Sequence, residues 1–554
     1  MKDAKPNPIF RLMPSLTDIA FLLPVIFLFT RLEGVRTMLG DGDTGWHIRT
    51  GEWILANHQI PKVDIFSYTR PGEQWFAWEW LWDVGAAVLH QHWGLGAVVL
   101  ASMIILGLTF AMLFRLVNRK CGNGIVAILL TSLAASGSAI HWLARPHLIT
   151  WLFIVIFLTL LERVREGQRN LLWWFPVLMV LWTNLHGGFL AGVVIVGAYA
   201  GGEIVRALVA QSNEERIAAA KASLPYIATA AGCMLASLIN PYFYHLHQHI
   251  FSYLRDPYEM NHIIEFQSAN FRSAGAGFFE SMLIFAGGAA VWFAYRKQFG
   301  EVFLLAGWGH LALQSARNIP LFMIVAAPLV AMAMVAWLKA LSQAPIAAWI
   351  RSIPEFVESA GEEVAPLERI GRVHAICAVV LVAIGLGIAS PSASKFFKPE
   401  YDPKVYPSRA LALLTEPSQR IFTDDEWGDY LIYNLSPKGI KVYIDGRSDF
   451  YGEKFCTEYI ELLGVKWDWE QILSRHGVNT VLLTPASPLA STIKESSHWR
   501  VVYDDGAAII FQAASMNRGP AEPVSTSSNG GRGRDPITAS SNVVAEITQF
   551  KTKE

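Results

Sequence analysis

The chain has 554 residues, 53% of them hydrophobic and only 16% charged, with twenty tryptophans. Lipid, rather than water, is the main solvent that such a composition suits. A formal net charge of -1 gives no electrostatic footprint for nucleic acid, and four cysteines as scattered as Cys121, Cys233, Cys377 and Cys456 build neither a disulfide framework nor a zinc site.

A membrane crossing takes roughly 20 mostly apolar residues. Runs that meet this fall near 16–33, 95–117, 123–141, 147–163, 171–185, 188–208, 223–240, 280–297, 301–316, 319–340 and 373–390, which makes about eleven spans. No small-residue cleavage site follows the first run, so it reads as a retained anchor. The runs that meet at Asn184-Leu185-His186-Gly187-Gly188 and at Arg317-Asn318-Ile319-Pro320 count as separate spans, because each pair exceeds one tilted crossing. Lys2, Lys5, Arg11, Arg119, Lys120, Arg163, Arg165, Arg169, Arg216, Lys221, Arg296 and Lys297 then share one side, which the positive-inside rule makes cytoplasmic. The expectation is a multi-pass protein of the bacterial inner membrane with its N-terminus in the cytoplasm. Segments 34–94 and 241–279 and everything after about residue 391 face outward.

Segment 34–94 is too long for a passive connection and too patterned for disorder. After Gly40-Asp41-Gly42, the apolar residues Trp46, Trp53, Ile54 and Leu55 recur at helical spacing over 43–57. Pro61, Phe66-Ser67-Tyr68-Thr69 and Pro71-Gly72 then make an extended crossing with a turn. A second helix, from about Trp75 to His92, carries Trp75, Trp78, Trp80 and Trp82 with Trp93 just beyond, a pattern suited to a membrane interface.

Asp41 and Asp43 follow a spanning helix directly, where a carboxylate meets lipid headgroups without being buried in hydrocarbon. A carboxylate there can take the proton of a nucleophile attacking a substrate whose leaving group is already good, such as a polyprenyl phosphate. An anionic donor needs cationic or hydrogen-bonding partners, and Arg145, His147, His186 and Arg317 all fall at outer ends of spans. Plainer readings exist for each: a helix N-cap for Asp43, a turn between glycines for Asp41, snorkelling for Arg145, a tight turn for His186 with Gly187-Gly188. Pro146, beside Arg145, and Pro320, three residues after Arg317, set both guanidiniums at helix breaks, where backbone must line protein or water. The Asp-Gly-Asp string is too short to specify a metal or nucleotide-sugar site, so no metal ligand is assigned and no cofactor is expected, with a divalent metal left as an unsupported alternative.

The string from Asp43 to Leu55, followed by Pro61, the aromatic crossing, the Trp80-Leu81 helix and Gly94, resembles the first outer loop of bacterial GT-C glycosyltransferases. The lipid A aminoarabinose transferases and the protein O-mannosyltransferases are similar to it. The resemblance implies a GT-C-like transmembrane domain over 1–390 and inverting transfer of a hexosyl or pentosyl group from a polyprenyl-phosphate donor to a glycan, lipid or protein acceptor. It also implies a catalytic base at the start of the interfacial helix, which falls on Asp43 with Asp41 as runner-up. Many relatives carry an acidic residue next to that aspartate, whereas here Thr44 follows Asp43.

In the second outer segment Glu265 is a candidate acceptor contact, against a plain surface glutamate. His245, His247 and His249 share a face only in an extended chain, whereas 242–254 reads as helical, so no metal site is expected there. Region 342–372 reads as a cytoplasmic connector with an amphipathic piece over 346–357. Residues 391–514 alternate strand-like runs (420–423, 440–444, 480–483, 501–503, 507–512) with helical ones (408–414, 452–463, 469–476), a small extracytoplasmic α/β domain expected to shape the acceptor site. Its Asp445-Gly446-Arg447-Ser448-Asp449 loop suits either a ligand or an internal Asp–Arg bridge. From 515 onward the composition is that of a disordered tail. Two rival classes remain. A transporter or flippase for a lipid-linked glycan requires mid-membrane charges and internal repeats, of which the sequence shows few and none. A non-catalytic assembly or sensor protein leaves Asp41 and Asp43 dispensable.

Overall fold

The computed structural model describes residues 11–368 and 371–514; Lys2, Lys5 and the expected tail lie outside them. The chain forms two compact units, one from Met1–Val63, Gln74–Arg255 and Ile263–Asp402, the other from Asp64–Glu73, Asp256–His262 and Pro403–Glu554, as far as these are described.

The first unit is helical. In chain order come α1 (Leu16–Arg31), α2 (Asp43–Asn57), α3 (Trp80–Trp93), α4 (Leu95–Cys121), α5 (Gly124–Ser138), α6 (His147–Arg165), α7 (Trp174–Leu185), α8 (Leu190–Leu208), α9 (Asn213–Ala236) and α10 (His245–Tyr253). After α11 (Pro257–His262), which belongs to the second unit, follow α12 (Ala276–Tyr295), α13 (Phe299–Gln314), α14 (Ile319–Ser342), α15 (Ala348–Leu367) and α16 (Ala375–Ala389).

All of the expected spans are helical, but among the described residues six segments are both long and apolar enough to cross a membrane: Leu95–Cys121, Gly124–His141, His147–Arg165, Gly187–Leu208, Ala276–Tyr295 and Ala316–Ser342. Four of the others are short: α1 has 16 residues with Pro24 inside it, α7 has 12, α13 has 16 and α16 has 15. The remaining one, α9, has 24 residues but opens on Glu214, Glu215, Arg216 and Lys221.

At the core, α14 buries every residue from Phe322 to Ala327 completely. One end of the apolar helices is laced by Lys120–Glu162 (2.5 Å), Arg165–Glu301 (2.5 Å) and Arg119–Glu166 ion pairs. Asp41, Asp43, Arg145 and Glu265 gather at the opposite end. The amphipathic connector forms α15, anchored by the Asn123 amide donating to the Val357 carbonyl (2.8 Å), with Trp349, Ile353 and Phe356 exposed at helical spacing.

Segment 34–94 folds largely as its pattern predicts, with α2 over Asp43–Asn57. Its second helix begins at Trp80 rather than Trp75, because Trp75 donates its N–H to the Lys62 carbonyl (3.0 Å) beside a Val63–Gln74 bridge, which holds that stretch extended.

The second unit has a four-stranded sheet in the order β1-β2-β4-β3, from β1 (Ile421–Phe422), β2 (Thr480–Leu483), β3 (Trp499–Asp504) and β4 (Ile509–Ala513). β1 and β2 are parallel, the other pairs antiparallel. The run 440–444 is buried except at Lys441 but is not a strand, since among the described residues Val442 makes only single bridges, to Ile421 and Ser67. The expected helix at 408–414 is a tight turn over Ala410–Leu413. Arg447 binds both oxygens of Asp445 (2.7 Å each) and reaches Asp64 (2.8 Å), so this loop is tied by an internal bridge.

Candidate functional site

Asp41 and Asp43 sit where the chain enters α2. Gly42 is the N-cap, and the Asp43 N–H donates to Asp41 Oδ1 (2.7 Å), so Asp41 supplies the side-chain acceptor at the helix start and Asp43 is its first residue. The Asp43 side chain is thereby released for other partners: Oδ1 accepts the Trp46 indole N–H (3.2 Å) and Oδ2 lies 2.5 Å from the Arg145 guanidinium.

Arg145 comes from the short connection between α5 and α6. The Ala144 N–H donates to the Met38 carbonyl (2.8 Å) and the Thr44 hydroxyl to the Ala144 carbonyl (3.2 Å), which fixes this connection beside the start of α2. From there Arg145 reaches Asp41 (2.9 Å), Asp43 and Glu265 (3.1 Å). Glu265, in the turn Ile264–Phe266, also meets His141 Nε2 at 3.1 Å, and its carbonyl accepts the Ser315 hydroxyl (2.9 Å). That last bond sets the turn against the start of the α14 segment, where Arg317 lies over the Phe266 ring (4.5 Å to its centroid) and donates to the Tyr253 hydroxyl (3.3 Å).

Three carboxylates around one guanidinium divide their charge unequally. Burial pushes the Asp41 carboxyl up to about 7, opposed by Arg145 and reinforced by Asp43 and Glu265. Burial acts the same way on Glu265, but the His141 and Arg145 charges overcome it and hold that carboxyl well below the usual range. Burial disfavours the Arg145 cation, and Asp41, Asp43 and Glu265 more than compensate.

The other sequence candidates are placed less directly. His186 leaves α7 in extended conformation and lies 3.3 Å from Glu79, while its Nδ1 accepts the Gly188 N–H (3.0 Å) and meets the Thr150 hydroxyl (2.7 Å). Burial and the Arg317 and Arg145 charges lower its value to about 3, so the ring is neutral. His147 spends Nε2 on the His141 carbonyl (2.8 Å). His245, His247 and His249 diverge: His245 faces Gln248, His247 the Ser237 hydroxyl, and His249 stacks on Phe76. Among the described residues no group of three or more His, Cys, Asp and Glu side chains is arranged to hold a metal ion; Asp41, Asp43 and Glu265 share the Arg145 side chain as their cation.

Sequence reasoning missed His141, His47, Glu79 and Asp83. The available signal was a polar residue inside an apolar helical face, as with His47 beside Trp46 on α2 and Asp83 beside Trp82 on α3.

No family model and no curated protein matches the chain. Among solved structures it resembles the Archaeoglobus fulgidus oligosaccharyltransferase in its apo form, at 11% identity over 84% of this chain and 69% of that one, with a TM-score of 0.50. It also resembles the archaeal oligosaccharyltransferase AglB from the same organism, in complex with an inhibitory peptide and a dolichol-phosphate: 12% identity over 91% of this chain and 74% of that one, TM-score 0.52. This is a GT-C fold. At such identity the likeness is one of architecture. Together with six helices long and apolar enough to cross a bilayer, it makes the chain a membrane protein with a small C-terminal sheet region.

Proposed function

We propose that the protein is a glycosyltransferase that moves a sugar from a polyprenyl-phosphate carrier to an acceptor on the outer face of the bacterial inner membrane, with Asp43 as the base. The observation that carries this reading is the convergence of Asp41, Asp43 and Glu265 on Arg145, each within 2.5–3.1 Å of its guanidinium, from three separate connections at one end of the apolar helices. In the reaction the acceptor hydroxyl or amine gives its proton to Asp43 as it attacks the anomeric carbon from the face opposite the phosphate. The carbon–oxygen bond to phosphate breaks, and the phosphate leaves with the electron pair. Arg145 is committed to three carboxylates and orients them. The departing phosphate therefore falls to Arg317, which has no carboxylate within ion-pair distance among the described residues and is presented by Phe266 and Tyr253. Glu265, on the same turn, is the candidate acceptor contact. The dolichol-phosphate held by the archaeal enzyme of the same fold is consistent with a lipid-phosphate donor. Arg145 supplies the cation that the three carboxylates share, so the proposal includes no metal requirement.

Complementation of a deletion strain tests the assignment. Asp43→Asn and Asp41→Asn variants that insert normally are expected to be impaired, the former by a factor of about 100 or more in transfer rate and the latter less, since its neutral amide mimics the protonated Asp41. Full function from both removes the enzyme reading.

A further inference from the structure

Beside the carboxylate cluster runs a second polar chain that the mechanism above does not use. Asp83 on α3 is fully buried, His47 on α2 is 2% exposed and Glu79 is 8% exposed. His47 Nδ1 lies 2.7 Å from Asp83 Oδ1, and its Nε2 lies 3.5 Å from Glu79 Oε2. The other Glu79 oxygen is 3.3 Å from His186 Nε2. The chain ends at Thr150, whose hydroxyl oxygen accepts the Trp182 indole N–H (2.9 Å).

The partners fix the protons along this chain. An indole N–H and a backbone N–H can only donate, so Thr150 accepts from Trp182 and gives its own proton to His186 Nδ1, which Gly188 N–H also faces. The His186 proton then sits on Nε2, directed at Glu79. At the other end, Asp83 Oδ2 is buried with no hydrogen-bond partner among the described residues. An ionised carboxylate with one bare oxygen in such a site costs far more than a neutral acid. The groups that face Asp83 are His47 from α2, Glu79 from the turn before α3, and Tyr242 from the stretch after α9. Burial and the Glu79 charge raise the Asp83 value well above the ordinary one, and burial with the Arg145 charge lowers that of His47. Asp83 thus donates O–H to His47 Nδ1, and the His47 proton sits on Nε2, aimed at Glu79. His47 in turn stacks on the Trp46 indole (3.7 Å between centroids), and that indole donates to Asp43 Oδ1.

We propose that Asp83 is a positioning residue of the transfer site: as a hydrogen-bond donor to His47 it fixes the imidazole on which Trp46 stacks, and Trp46 aims Asp43. Glu79, 3.5 Å from His47 Nε2 and 3.3 Å from His186 Nε2, brings α2 and the start of α3 to the junction of α7 and α8. This rests on the reading of Asp43 as the base.

The test uses the full chain in detergent, with Asp83→Asn, Asp83→Leu and Trp46→Phe variants. The Asn amide keeps a donor toward His47, so Asp83→Asn is expected to stay within about threefold of wild-type kcat. Asp83→Leu and Trp46→Phe are expected to lose about tenfold or more in kcat with KM nearly unchanged, because alignment rather than binding is lost. Independently of activity, the infrared carbonyl stretch of a protonated carboxylic acid is expected in wild type at about pH 8, where ordinary carboxylates are ionised, and is expected to vanish in Asp83→Asn. Asp83→Asn as inactive as Asp83→Leu, or no acid band in wild type, overturns the proposal; so does an Asp83→Leu or Trp46→Phe protein of full activity. If Asp83→Leu does not fold, the Asn and Phe variants still decide. A wild type with no transferase activity fails the function reading and the positioning role with it, whereas the infrared band still reports the Asp83 proton alone.

Discussion

The Arg145 guanidinium cannot neutralise three carboxylates at once, and Asp41 is the one that keeps its proton longest, to about pH 7. Above that pH an ionised Asp41 adds a negative charge to the cluster that receives the acceptor's proton. We expect kcat to rise with pH through an inflection near 7, and the inflection to be missing from Asp41→Asn; an unchanged profile in that variant would show that another group titrates. The sign for stability is opposite. The folded-state value lies above the unfolded 3.8, so the stabilisation from Asp41 is complete below about 3.8 and is lost as the pH rises through about 7. Asp41, Asp43 and Arg145 stood out in sequence as candidates because each lies near the end of an apolar run, where a charge has no packing reason to be. Arg317 was legible for the same reason, marked by Pro320. His186 was visible as a residue, but its partner Glu79 was not, since nothing in a single sequence shows that residues more than a hundred positions apart meet.

At the scale of elements, the crossing of α2 over α3 holds the carboxylates in place. Gly51 makes it close: a Cβ there falls 1.9 Å from the Asp83 carbonyl oxygen. Alanine at a helix position gains about 0.5–1 kcal/mol over glycine, while overpacking costs about 1–3 kcal/mol. Gly51→Ala is therefore expected to lower the thermal midpoint in detergent. Gly85→Ala is a control on the exposed side of α3, where a Cβ meets nothing within 4 Å, and is expected to leave the midpoint unchanged or raise it. Equal behaviour of the two variants would remove the crossing as the determinant. The helix over 43–57 was legible from its apolar spacing, but its start was not: the N-cap expected at Asp43 is Gly42, with Asp41 supplying the side-chain acceptor. The start of α3 was not, because the tryptophans from Trp75 onward suit an interfacial helix equally well, and only the backbone pairing of Trp75 with Lys62 keeps the first of them extended.

For the whole molecule, composition and the periodicity of apolar runs were enough to expect helices in a membrane, and the helix breaks at His186 and Arg317 lie where histidine, glycine and proline marked them. What the sequence withheld was which helices reach full crossing length, because short apolar runs such as the one that forms α7 end where polar outer connections begin. Two ends of different chemistry result, one laced by ion pairs and one that gathers Asp41, Asp43, Arg145, Glu265 and Arg317. A transporter of lipid-linked glycan needs the second end only as a vestibule, whereas a transferase performs its chemistry there. The decisive measurement is transfer of radiolabelled sugar from a panel of polyprenyl-phosphate sugars by the purified protein reconstituted in vesicles, with an envelope membrane fraction as acceptor. The account predicts label leaving the carrier and appearing covalently in the acceptor fraction, with the Asp43→Asn protein slower by a factor of about 100 or more. Label that crosses the bilayer while still attached to its carrier, or equal transfer by wild type and Asp43→Asn, would contradict it.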